Sequence, residues 1–296
     1  MNLTNTKEEF LSNYRNKQRF IIELSKRLNE EGIATFHVDA DADVRIVTTA
    51  LESATKTTTV VIGEDTDLLI LLLHYCNEKI EEIYMRIEPK AQKGGKIWNI
   101  AKLKKMLGKN LCDSLLFGHA FLRCDTTSKP FGKGKAMALK LLNTNVQFQR
   151  LSKVFYLPTS SIEEIDAAGE SAMCIVYGGL PTDDIAFLRY TIFKKKVSNA
   201  SVAKSIKPEE LPPTKGSVKF HSRRVYLQIQ MWLGVTTMKE TDWGWFMNDR
   251  LFFPNTTDLP PAPKEILKMI KCGCNGSCVS CCNVKHTFEQ DEDEAL

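Results

Sequence analysis

Five aspartates stand at two points of the chain where a strand gives way to a helix. Asp39, Asp41 and Asp43 alternate with alanine in Asp39-Ala40-Asp41-Ala42-Asp43-Val44, and Asp65 and Asp67 lie in Gly63-Glu64-Asp65-Thr66-Asp67-Leu68. In a parallel sheet, ligands gather at the carboxyl ends of strands. Two neighbouring strands would bring four or five carboxylates to one edge, where like charges repel unless cations sit among them. Magnesium and manganese are hard ions that take oxygen ligands of this kind. A pair of such ions can serve phosphodiester hydrolysis by activating water and stabilising the leaving oxygen. Asp41 and Asp65 also suit helix N-caps, with the other acids as exposed charges; two motifs at matching topological positions favour metal binding.

A third constellation is His119-Ala-Phe-Leu-Arg-Cys-Asp125, followed after a short loop by Gly132-Lys133-Gly134-Lys135. Asp125 falls in a loop behind an apolar helix. A Gly-x-Gly turn into a helix N-terminus lets backbone N–H groups approach phosphate oxygens, and Lys129, Lys133 and Lys135 add charge there. Many helix-entry turns share this local pattern.

The elements that would position these residues can be read from periodicity. Phe10, Tyr14, Ile21, Leu24 and Leu28 fit one amphipathic helix over 6–31, ended by Gly32. Ala34–Val38 reads as a short strand, Ala42–Ser53 as a helix, Thr57–Ile62 as a buried parallel strand, Thr66–Tyr75 as a helix and Ile83–Ile87 as a strand. Helices are expected over 100–107, 111–122, 135–142, 161–177 and 218–234. Residues 198–217 are rich in Pro, Lys and Ser and read as a linker. Pro254, Pro260, Pro261 and Pro263 mark an extended connector.

The chain of 296 residues is 43% hydrophobic, enough for a core, and its net charge is +4. Arg86 to Lys109 holds eight Lys/Arg against one acid, and Arg123 to Lys153 holds seven against one. The last eight residues carry five acids. A basic middle with an acidic end fits a polyanionic partner, and equally a solvated lysine-rich surface. The longest apolar run is too short to span a bilayer, so no membrane association is expected. Of nine cysteines, Cys76, Cys112, Cys124 and Cys174 read as buried thiols, while Cys272, Cys274, Cys278, Cys281 and Cys282 cluster beside His286. Without a secretory leader such a cluster suits zinc better than disulfides, in a nuclear or cytoplasmic setting. Trp232, Trp243 and Trp245 could stack on bases or fill the core.

Taken in order, these segments resemble the flap-endonuclease (XPG-type) branch of the PIN-like superfamily. The resemblance is carried by Asp41-Ala42-Asp43, by Glu64-Asp65-Thr66-Asp67-Leu68-Leu69, and by Arg123-Cys124-Asp125 followed seven residues after the aspartate by Gly132-Lys133-Gly134. It covers about residues 34–142. It implies an α/β fold built on a PIN-like parallel sheet, with Asp41, Asp43, Asp65, Asp67 and Asp125 holding Mg2+ or Mn2+. It also implies a helix-turn-helix element in which Lys129, Gly132, Lys133, Gly134 and Lys135 meet a DNA backbone. Two departures stand out. No strand bearing a further metal-binding acid precedes Ala34, and Arg123 and Thr126 replace the family's glycine and tyrosine. Outside this core the chain resembles, at Leu211-Pro212-Pro213-Thr214, Gly244-Trp245-Phe246 and the run from Leu259 to Cys274, transposon-associated animal proteins that combine such a core with a cysteine tail. Its Cys272-x-Cys274-x3-Cys278 resembles the start of a tesmin/TSO1-like CXC zinc domain, left as a remnant without the later cysteines.

The organisation expected is an N-terminal helix in 1–33, the PIN-like core in 34–150, a helical region in 151–253 and a Pro-rich, Cys-rich, acidic tail in 254–296. The function expected is metal-dependent hydrolysis of DNA phosphodiesters, or a degenerate derivative that binds metal and cuts slowly or not at all. The alternative is a catalytically silent nucleic-acid-binding or scaffold protein.

Overall fold

The computed structural model describes residues 6–38, 42–80, 82–88, 95–122, 124–198, 207–249 and 251–259. Two helices, α1 (Lys7–Ser12) and α2 (Tyr14–Glu30), replace the single helix expected over 6–31. The break is local chemistry. Asn13 adopts an extended conformation, and its Oδ1 accepts the N–H groups of Arg15 and Asn16 at 3.0 and 3.3 Å, which starts a new helix. No residue of α2 is buried, so its apolar spacing does not reach the core.

The site-bearing layer follows: α3 (Asp43–Ala54), β1 (Thr59–Ile62), α4 (Thr66–Tyr75), β2 (Ile83–Ile87) and β3 (Lys96–Asn99). The sheet order is β1-β2-β3, with β1 parallel and β3 antiparallel to β2. The architecture is therefore mixed α/β and mostly helical, with a small mixed sheet. This corrects the all-parallel expectation, and the reason is connection length. A parallel crossover needs a dozen or more residues, and the chain between Ile87 and Lys96 is shorter. Ala34–Val38, expected as a strand, is irregular backbone, and β1 is the sheet's edge. Short connectors at 55–58 and 63–65 reverse the chain on either side of β1. Both α3 and α4, which pack together, accordingly start at the carboxyl edge of that strand.

The helical body comprises α5 (Ile100–Leu107), α6 (Lys109–Leu122), α7 (Lys135–Thr144), α8 (Val146–Val154), α9 (Ile162–Val176), α10 (Ile185–Val197) and α11 (Lys215–Trp232). A hairpin of β4 (Trp245–Asn248) and β5 (Leu251–Pro254) follows. The expected linker 198–217 is shorter than its composition suggests. Thr214 caps α11 through Ser217 N–H, so Lys215 already belongs to the helix. Helix α6 runs through the centre, with every residue from Leu115 to Leu122 buried. Phe117 packs within 4.7–5.3 Å, ring centre to ring centre, of Phe121, Phe148 and Phe155. Helices α9 and α11 cross tightly at Gly169, where an added Cβ would lie 1.8 Å from Ser222 Oγ. One hydrophobic core runs from Val47 to Trp232 and joins the sheet to the helical body. Trp232 is buried in it, and Trp243 packs against Tyr226, so these two indoles serve packing. Among the described residues, no helix is long and apolar enough to cross a membrane.

Candidate functional site

Three segments distant in sequence meet at the start of α4. An open cleft there is lined by Glu64, Asp65, Thr66, Asp67, His119, Asp125, Lys129 and Lys135. Glu64 and Asp65 come from the β1–α4 turn, Thr66 and Asp67 from the first two positions of α4, His119 from α6, Asp125 and Lys129 from the loop behind it, and Lys135 from the first position of α7. Asp65, Asp67, Asp125, Lys129 and Lys135, singled out from the sequence, thus share one cleft.

The aspartates have different tasks. Asp65 is the N-cap of α4, and its Oδ1 accepts Asp67 N–H at 3.0 Å, as the capping alternative anticipated. Asp67 turns inward. Its Oδ1 lies 2.6 Å from His119 Nε2, and its Oδ2 lies 3.9 Å from Cys124 Sγ. Asp125 is 89% exposed and meets Lys129 Nζ at 2.6 Å. Lys135 donates to Thr66 Oγ1, which ties the head of α7 to the head of α4.

The remaining candidates are placed differently. Asp43 opens α3 at the same sheet edge but is not among the residues lining the cleft. Asp39, Asp41, Arg123 and the cluster Cys272, Cys274, Cys278, Cys281 and Cys282 lie outside the described residues. Gly132 has a positive φ of 68°, and Gly134 precedes α7 in an extended conformation without a side-chain cap, so the expected glycine turn into a helix is present. Lys133 sits 4.7 Å from the centre of the Tyr177 ring rather than on the cleft. Part of the basic stretch 86–109 is engaged within the fold. Lys104 donates to the carbonyls of His74 and Cys76 at 2.9 and 2.6 Å, Lys109 pairs with Asp113, and Arg86 pairs with Glu88.

His119 and Cys124 are the site residues that sequence reasoning passed over. One ligand atom from each, with one from Asp67, lies within 4.8 Å of the other two, a group that could hold a metal ion. His119 and Cys124 are buried and Asp67 is partly buried. Burial pushes the Cys124 thiol pKa up; the Thr126 bonds lower it, and the carboxylates of Asp67 and Asp125 raise it further. Thr126 Oγ1 lies 3.0 Å from the thiol and donates to Gln228 Oε1 on α11 at 2.6 Å. The Trp232 ring stacks on His119 at 6.0 Å between centres. The only sequence signal was nearness: His119, in the last turn of α6, and Cys124 both lie within six residues of Asp125, already under suspicion.

No protein-family model, curated protein or solved structure matches this chain.

Proposed function

We propose that this chain is a nuclease-like protein of the flap-endonuclease branch of the PIN-like superfamily, acting on DNA phosphodiesters or descended from an enzyme that does. The observation that carries the reading is the cleft itself, which joins carboxylates from the head of α4 and from the 125 loop to Lys129 and Lys135. Carboxylates and lysines in one open cleft are what a phosphate diester and divalent cations require together. The donor set fits a hard cation, since Glu64, Asp65, Asp67 and Asp125 offer oxygens there. Mg2+ or Mn2+ bound among them would polarise a phosphoryl oxygen and lower the pKa of a water. The chain's own part is to hold the strand. Lys129 and Lys135 would attract its phosphates, Lys135 from the first position of α7.

A second reading, a silent DNA-binding or scaffold protein, is favoured by how the acids are already used. Asp65 caps a helix, Asp67 is taken by His119, and Asp125 is paired with Lys129. A cleavage assay on flapped, nicked and single-stranded DNA, with Mg2+ and with Mn2+, separates the two. Slow cutting that is lost in Asp125→Ala supports the enzyme reading. Equal, negligible rates in both proteins, with salt-dependent binding of DNA, establish the silent one. No binding at low salt removes both, because neutralised phosphates make affinity fall with salt.

A further inference from the structure

We propose that Asp67, His119 and Cys124 form a binding site for a divalent transition metal of the zinc and cobalt class, chemically distinct from the hard-cation cleft outside it. The three side chains offer a carboxylate oxygen, an imidazole nitrogen and a thiolate sulfur, with the ligand atoms within 4.8 Å of one another. Four-coordinate zinc, with ligands at about 2.0–2.3 Å, separates its ligand atoms by about 3.4 Å. His119 Nε2 lies 2.6 Å from Asp67 Oδ1, and Cys124 Sγ lies 3.9 Å from the other oxygen, Oδ2, distances on either side of that value. The carboxylate must turn to present one oxygen to both partners, with all three donor atoms already within 4.8 Å. Magnesium is a poor match, because two of the three donors are nitrogen and sulfur.

The surroundings are those of a built site. The His119 side chain is 4% exposed and that of Asp67 19%, so of the two members that line the cleft the carboxylate is the more open to it. Thr126 Oγ1 lies 3.0 Å from the sulfur and donates to Gln228 Oε1, which anchors the loop that carries Cys124. Contacts of this kind orient ligands and tune affinity. Trp232 closes the side of the imidazole. Three protein ligands with an open fourth position toward a cleft is the arrangement of catalytic rather than structural zinc. The fourth ligand would be water or an oxygen of whatever occupies the cleft. Asp67 then has two roles, as inner ligand and as wall of the outer cleft.

The proposal stands on this geometry and does not depend on the nuclease reading. Its test is cobalt spectroscopy on the full chain with Cys272, Cys274, Cys278, Cys281 and Cys282 changed to Ser, so that the tail contributes no sulfur. One Co2+ per chain should bind with a sulfur-to-cobalt charge-transfer band, and Zn2+ should displace it. Cys124→Ser should abolish the band and weaken binding at least about tenfold. His119→Gln should weaken binding to a similar degree and alter the visible cobalt absorption, which keeps the test alive if Cys124→Ser does not fold. Lys109→Ala, at the exposed start of α6, should leave the band in place. Absence of the band in the tail variant, or a band indifferent to both Cys124→Ser and His119→Gln, overturns the site. A chain that shows the band and cuts no DNA loses the nuclease reading alone. One that cuts in Mg2+ and shows no band loses this proposal alone.

Discussion

Helix α6 and strand β1 both border the site, yet they are held in unlike ways. From Leu115 to Leu122 the helix has no residue outside the core. In β1 only Val61 is buried, while Val60 and Ile62 are 49% and 62% exposed at an edge with no neighbouring strand among the described residues. Helix α4 connects the two, with Leu68 and Ile70–Leu73 buried. The inner site residues, His119 and Cys124, are thus set by the close-packed body. Asp125 and Lys129 stand on an exposed loop, and Asp65 on the turn leaving the edge strand. The inner residues are enclosed and the outer ones open, an arrangement that would suit the proposed metal ligands beside groups that meet a phosphate.

The contrast can be broken most forcefully from the helical side. Phe117→Ala should cost about 3–5 kcal/mol, because a fully buried ring amid three others leaves a cavity that cannot collapse. Urea unfolding measures it, and a loss under about 1 kcal/mol would mean the body is less tightly packed than described.

Acid should act on the same body. Burial, with the nearby Arg224 adding, lowers the His221 pKa to about 4, against the bond from its Nε2 to Phe121 O. Between about pH 6.5 and 4 the unfolded chain holds a proton that the folded chain refuses. Stability is therefore full above about 6.5 and falls as pH drops toward 4, by about 3 kcal/mol. His221→Gln should flatten that part of the stability–pH curve. An unchanged slope would assign the acid loss to other groups.

Gly169→Ala should cost about 1–3 kcal/mol or more, since Ser222 must move out of the way where α9 crosses α11. Thermal unfolding would show it, and a neutral result would mean that the two helices separate easily. The smallest effect belongs to the sheet. Ile62→Lys should change stability by no more than about 0.5 kcal/mol, because the side chain is mostly in solvent. A large loss would reveal a neighbour covering β1 in solution.

What the sequence disclosed follows the same division between local and non-local causes. Thr66–Tyr75, Ile83–Ile87 and Ile100–Leu107 have the bounds read from periodicity, because caps and β-branched runs act within a few residues. Asp65, Asp67, Asp125, Lys129 and Lys135 share one cleft, and each stands at the start of a helix or in the loop between two helices, places that turn chemistry marks in the sequence. Ala34–Val38 has a strand's composition, but a strand also needs a partner, which composition does not supply. Strand β3, helices α8 and α10 and the β4–β5 hairpin went unread because each is short or without a clear apolar period; α10 buries only Ile185, and β5 buries no residue. His119 was hidden in Leu-Leu-Phe-Gly-His-Ala-Phe-Leu, where a lone histidine looks like core, and Cys124 passed as one buried thiol among several.

The hydrogen bond from Thr126 to Gln228 spans 102 residues of chain and ties the loop of Cys124 to α11. Tyr75, at the end of α4, likewise donates to the carbonyl of Trp232. During synthesis from the N-terminus, every acid of the cleft leaves the ribosome long before these anchors do. Both tethers of the site to α11 therefore close only after that helix has emerged and docked. If the proposed metal site holds an ion, its final anchorage would come late in synthesis, from a helix that supplies none of the ligands.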